Sequence, residues 1–356
     1  MSVKITRELV QRMDQEDIMT AISRNIFPTD LRLRSAGNRK TMDDSSMLKV
    51  DESCSKLPSS SVNGGTKVGP GTNLKPIMDA KCLNGRQKVY QHHSTENNCL
   101  MRFSIYIPET EDANQKFHVV IFLSGIMCNE QNFLLKTGFQ QYASEQNLIV
   151  VGADTSPRGV EYPGDRDAPI FGRSAGWYLD ATQEPWNKNY NMYSYISKEL
   201  PEIIRNNFPT TGQFGLIGHS MGGNGAVVIG LRNPSMFKCI TLLAPSCNPT
   251  SWGQELIFRK FLGDDEEQWK KFDASCVIRE YNGPTREIML DQGGEDEYLD
   301  FLLPKRLKTC AENNVNACVT VDLNMREGYD HSYYFVASFI ENHLIYHKNV
   351  LDNTSM

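Results

Sequence analysis

The feature that most constrains this chain is the hexapeptide Gly218-His219-Ser220-Met221-Gly222-Gly223, flanked by two apolar runs. Before it runs QFGLIG, which reads as a short buried strand. After it runs NGAVVIGL, which reads as a helix. A G-x-S-x-G pattern between a strand and a helix marks a sharp turn that lifts a serine out of the backbone. Gly218 and Gly222 are small enough to let neighbouring chain pass without a Cβ clash. The turn also sets Ser220 at a helix N-terminus, where developing negative charge is favoured. Ser220 is therefore the candidate nucleophile. The adjacent His219 points the wrong way to serve as its base and reads as a structural residue of the turn.

The rest of the chain supplies the elements such a turn needs. Gln87–His92 and Leu100–Ile107 alternate like an antiparallel strand pair. Val119–Leu123 and Leu148–Val151 are short apolar strands on either side of a helix over 131–146. A helix over 191–206 precedes the strand Phe214–Ile217. Strands near 238–243, 286–291 and 317–324 follow, with helices near 302–313 and 333–346. Apolar runs alternating with helices predict an α/β fold whose mostly parallel sheet is covered on both faces, the α/β-hydrolase architecture.

In that architecture an acid and then a histidine follow the nucleophile. The histidines after Ser220 are His331, His343 and His347. His331 lies in the loop Gly328-Tyr329-Asp330-His331-Ser332, between a strand and the final helix, and is the candidate base. His343 and His347, four apart, lack the glutamate of a zinc-binding helix motif and read as a solvated helix face. The acid should follow a late strand. Asp291 stands at the end of one, and Glu295 and Asp296 stand in the turn beyond. Asp296 is preferred, because a carboxylate in that turn can reach an imidazole and stabilise its charged form. The expected oxyanion donors are the amides of Met221 and of Ile126, the latter in Leu123-Ser124-Gly125-Ile126-Met127-Cys128. Cys128 is placed near the site, as an inert buried thiol or a reactive one.

Composition narrows the setting. A net charge of −6, with no block of Lys or Arg, argues against a nucleic-acid partner. No stretch is long and apolar enough to span a membrane, and the N-terminus lacks the apolar core of a secretory signal. Nine scattered cysteines with no C-x-x-C pair read as free thiols of a cytoplasmic protein. The expected organisation is a low-complexity, mostly disordered extension over 1–76, a catalytic domain over 77–350 and a tail over 351–356. Within the extension, 51–76 is dense in Ser, Gly and Pro. Ile5, Leu9, Met13, Ile18 and Ile22 have loosely helical spacing, which suits a docking helix or a tail that folds transiently.

Residues 80–348 resemble the S-formylglutathione hydrolase (esterase D) family. The likeness runs through Leu123-Ser124-Gly125 with Cys128, Asp154-Thr155-Ser156-Pro157-Arg158-Gly159, Asp180-Ala181-Thr182, Pro185-Trp186 and Met192-Tyr193-Ser194-Tyr195. It continues through the serine turn, Asp291-Gln292-Gly293 with Asp296, and Glu327 to Tyr334. The resemblance implies hydrolysis of S-formylglutathione to glutathione and formate, activity on simple esters, a homodimer, and a cysteine at 128 close to the nucleophile. It implies the same three catalytic residues. No metal or organic cofactor is expected, and the partner is a small thioester or ester. Trp186 and Trp252 are expected to line the substrate pocket. The chain departs from the family pattern at Met127, at Arg173–Trp177 and in a shortened Cys247–Gly253 loop.

Overall fold

The computed structural model describes residues 74–162, 170–251 and 255–354, the side chains of 255 and 256 excepted. The expectations for residues 1–73, and the pocket residue Trp252, lie outside the described residues. Of the expected extension only 74–76 is described, and Lys75 and Pro76 open the first strand.

One sheet organises the chain. Its strands are β1 (Lys75–Cys82), β2 (Gly85–Ser94), β3 (Cys99–Pro108), β4 (Phe117–Leu123), β5 (Leu148–Ala153), β6 (Thr210–His219), β7 (Phe237–Leu243), β8 (Arg286–Gly293) and β9 (Val319–Arg326). They lie in the order β1-β2-β3-β5-β4-β6-β7-β8-β9. The first three strands meander and join β5 antiparallel; every pairing from β5 to β9 is parallel. The mostly parallel α/β sheet read from the sequence is therefore present, with an antiparallel margin.

β4 and β5 are buried at every residue, as strands covered on both faces must be. Their side chains divide by alternation. Val119, Ile121 and Leu123 join one apolar cluster, with Ile149, Val151 and much of α4 (Met221–Arg232). Val120, Phe122 and Val150 join the other. There they meet α1 (Glu130–Lys136), α2 (Gln140–Glu145) and α10 (Tyr333–Asn353) through Phe133, Phe139, Phe335, Ile340 and Leu344.

Several local expectations change. The helix expected over 131–146 is two helices, because Thr137 Oγ1 donates to the Phe133 carbonyl at 2.9 Å and Gly138 turns left-handed at φ 63°. The helix expected over 302–313 is also divided. Pro304 cannot continue a helix from before it, so Leu303 takes φ 55° between α8 (Leu299–Leu302) and α9 (Pro304–Glu312). β1 went unread because most of it is exposed on both faces, leaving no apolar alternation to see. Helices α5 (Glu255–Leu262), α6 (Glu266–Lys270) and α7 (Ala274–Glu280) also went unread. α3 (Leu200–Asn207) ends before Pro209 as expected, but a π-helical segment, Tyr195–Glu199, leads into it. α10 runs past 346 to Asn353 with Leu351 buried, so the tail drawn from 351 begins inside a packed helix.

Candidate active site

The loops at one end of the parallel strands assemble the site. β6 ends at His219 and α4 starts at Met221, so Ser220 must make the turn alone; it does so at φ 56°, ψ −122°. That conformation is rare for a residue with a side chain. It persists because the surroundings fix it. Ser220 N–H donates to the Leu243 carbonyl at 3.2 Å, and its own carbonyl accepts from Gly223 and Ser246 at 2.9 and 2.8 Å. A Cβ on Gly222 would stand 2.0 Å from the Leu123 carbonyl oxygen. Only glycine lets α4 start this close to β4.

His331 follows β9 and precedes α10, whose N-terminus is capped by Ser332 Oγ accepting from Tyr334 N–H. Its Nε2 lies 3.0 Å from Ser220 Oγ and its Nδ1 2.8 Å from Asp296 Oδ2. Asp296 is buried in the turn after β8. Its carboxylate also accepts from the Gln292 side-chain amide and from Tyr298 N–H, both at 2.8 Å. Burial alone would raise the Asp296 carboxyl, but the charge and hydrogen bond of His331 outweigh it and hold the acid below its usual range. Burial likewise opposes charge on His331, and the Asp296 carboxylate overcomes it, so this imidazole holds its proton above its ordinary range.

The neighbouring candidates have other work. Asp291 is fully buried and receives Arg326 at 2.8 Å and His343 Nε2 at 3.3 Å. Glu295 lies exposed in the turn beyond. His343 and His347 are not a solvated face: both are fully buried, because that side of α10 packs on the sheet. His347 Nε2 lies 3.1 Å from Thr241 Oγ1, and Gly215 makes room for the ring. His219 is buried, with its ring 4.9 Å from that of His331, centroid to centroid, and tilted by 32°; burial first, then the charge of His331, pushes it down to about 3. It is a neutral wall behind His331.

The loop after β4 passes directly over Ser220. A Cβ on Gly125 would stand 2.9 Å from the serine Cβ. Neither the Ile126 nor the Met221 amide has an acceptor among the described residues, so both N–H groups remain available to an oxyanion. Cys128 is buried, with Sγ 3.6 Å from the Tyr333 hydroxyl. Burial pushes its thiol up, although that hydrogen bond and nearby cations pull the other way. This is the environment of a protonated thiol. Trp186 does not join this group. Its ring packs among Tyr162, Phe171, Tyr190 and Phe261 in the core, so its pocket role finds no support in these contacts. Tyr333, whose hydroxyl also lies 3.2 Å from Ser124 Oγ, was not singled out from sequence. Its place two residues after His331, in the first turn of α10, was the available signal.

Known proteins share this arrangement of the chain. The family model Esterase, described as "Putative esterase", matches residues 94–346. An S-formylglutathione hydrolase from Mus musculus is 44% identical over 285 residues, covering 78% of this chain and 99% of that protein. One from Arabidopsis thaliana is 42% identical over 286 residues, covering 79% and 99%. The structure of an S-formylglutathione hydrolase from Agrobacterium tumefaciens superposes with a TM-score of 0.72 at 36% identity, covering 78% of this chain and 99% of that one.

Proposed function

We propose a mechanism from one premise: this chain belongs to the S-formylglutathione hydrolase family, within the wider esterase family, and is a hydrolase. The observation that carries the mechanism is the unbroken hydrogen-bonded path from Asp296 through His331 to Ser220, at 2.8 and 3.0 Å. His331 Nε2 takes the proton of Ser220 Oγ as that oxygen attacks the formyl carbon of S-formylglutathione. The carbonyl oxygen becomes an oxyanion held by the Ile126 and Met221 amides. The C–S bond then breaks, and the glutathione thiolate leaves with the proton carried by His331. Water enters, gives a proton to His331, and attacks the formyl-serine ester. The adduct collapses, the proton on His331 returns to Ser220 Oγ, and formic acid departs, ionising to formate in solvent. Asp296 keeps the imidazole oriented and stabilises its cation throughout.

The substrate is the one in the relatives' names, and the small formyl group suits a serine so closely covered by Gly125. A second reading, a broad carboxylesterase, is favoured by Met127. This apolar side chain is 39% exposed on the same loop and would greet an uncharged ester. The two separate on kcat/KM for S-formylglutathione beside that for an aryl acetate. A strong preference for the thioester supports the first reading; parity or reversal supports the second. Ser220→Ala should abolish both activities, and retained turnover would remove the serine from the mechanism. A cytoplasmic location completes the proposal, because all eight described cysteines are free thiols, as a reducing compartment keeps them.

A further inference from the structure

Three residues with side chains, Ser174, Trp177 and Tyr178, adopt positive φ of 68°, 53° and 52° within five positions. Such residues stay in that region only where their surroundings hold them, and a cluster of them asks what is being held. Trp177 is buried, and its indole N–H donates to the Ile170 carbonyl at 2.9 Å. Tyr178 is buried with its ring against Gly225 of α4, where a Cβ would come within 2.7 Å of it. Its hydroxyl donates to the Ser124 carbonyl at 3.0 Å. The Ser174 carbonyl accepts from Met127 N–H at 2.8 Å, and Met127 is itself left-handed at φ 61°. Segment 174–178 therefore grips the loop over Ser220 at Ser124 and at Met127. Between the two grips lie Gly125 and Ile126, and the Ile126 N–H has no acceptor among the described residues.

The grip is anchored in turn. Ser174 N–H donates to Ser156 Oγ at 2.7 Å, and Arg158 Nη1 donates to Ser174 Oγ at 2.8 Å. Arg158 is ion-paired with buried Asp154, and its Nη2 donates to the Cys128 carbonyl at 3.1 Å. Arg158 thus ties Ser174 to the chain on the far side of the loop.

We propose that residues 174–178 are a clamp that presents the Ile126 amide to the oxyanion, with Tyr178 as a positioning residue acting through the Ser124 carbonyl. The proposal rests on the reading of Ile126 as an oxyanion donor. An oxyanion donor is effective when it is already aimed, since no reorganisation is then needed as charge develops. Fixing the peptide oxygen at 124 and the peptide N–H at 127 leaves the donor between them little freedom to turn away.

The test is Tyr178→Phe in the full chain, which removes one hydroxyl and keeps the ring against Gly225. We expect kcat to fall about tenfold with KM changed less than twofold. Affinity for a trifluoromethyl ketone, which forms a tetrahedral adduct with Ser220, should weaken by the same factor. The acidic limb of the pH–rate profile should not move. Ser174→Ala, which deletes the Arg158 contact and disfavours the left-handed backbone, should give the same pattern. Kinetics and ketone affinity within twofold of the parent in both variants, or a lower Tm alone, would overturn the clamp. A shifted acidic limb would overturn it too, by placing the effect on His331. Ser220→Ala run alongside separates the two ideas: if it is inactive and Tyr178→Phe is unchanged, only the clamp fails, whereas an active Ser220→Ala ends the reading beneath it.

Discussion

Two carboxylate–imidazole pairs grow from the same pieces of chain and behave in opposite ways. Asp291 ends β8 and meets His343 of α10; Asp296 follows β8 by one turn and meets His331 just before α10. Both acids are buried. Yet His331 is pushed up and His343 down. For His343 burial is the largest influence, and the nearby Arg326 adds to it. Arg326 also spends the charge of Asp291 on its own ion pair. The other partners of Asp296 are a neutral amide and a backbone N–H, so its charge is left for His331. The same kind of contact therefore raises one imidazole and fails to raise the other, where burial and a competing cation act together.

Asp296→Asn should break the comparison most visibly. It keeps the shape but offers the imidazole the wrong partner, and kcat should fall about 10⁴-fold. Asp291→Asn should leave kcat within tenfold while costing on the order of 3 kcal/mol in urea melts, as an uncompensated partner is left behind. Equal losses of activity in the two variants would erase the distinction.

Next comes Arg326→Met, which frees the charge of Asp291. The ring protons of His343, followed by NMR, should then titrate higher than in the parent, while burial still holds the ring down. No movement would mean that burial alone governs this ring. Smallest is the native pH dependence. His331 must be neutral to take the serine proton, and its proton is held above the ordinary 6.5. The kcat/KM should therefore decline as pH falls through a value above 6.5, by about tenfold, or 1.4 kcal/mol, for each further unit. A limb at or below 6.5 would show that Asp296 does not dominate its partner.

The same pairs show what a sequence carries. Ser220 was legible because the elbow's requirement is local: glycines beside a serine between a strand and a helix. His331 was legible because its loop could be separated from the helical His343 and His347 by periodicity. Asp296 was preferred to Asp291 from its place in the turn beyond the strand; the ion pair of Asp291 with Arg326, 35 residues further on, was not legible, because no short-range pattern announces it. His343 and His347 were misread because two histidines on a helix look polar until the helix is laid on a sheet. Segment 174–178 showed itself only as a departure from the family pattern at Arg173–Trp177, not as a left-handed run. Its left-handed residues are Ser, Trp and Tyr, where a turn would be sought at glycine, so only tertiary contacts can explain them.

α10 has a bearing on how this protein is made. The helix packs across β4, β6 and β7, and the loop carrying His331 leads into it. Synthesis proceeds from the N-terminus, so Ser220 and its elbow leave the ribosome more than a hundred residues ahead of His331. During that interval the growing chain lacks the proposed base and the helix that covers this face of the sheet. Hydrolysis should therefore switch on late, and a ribosome stalled before β9 would carry a serine that cannot turn over.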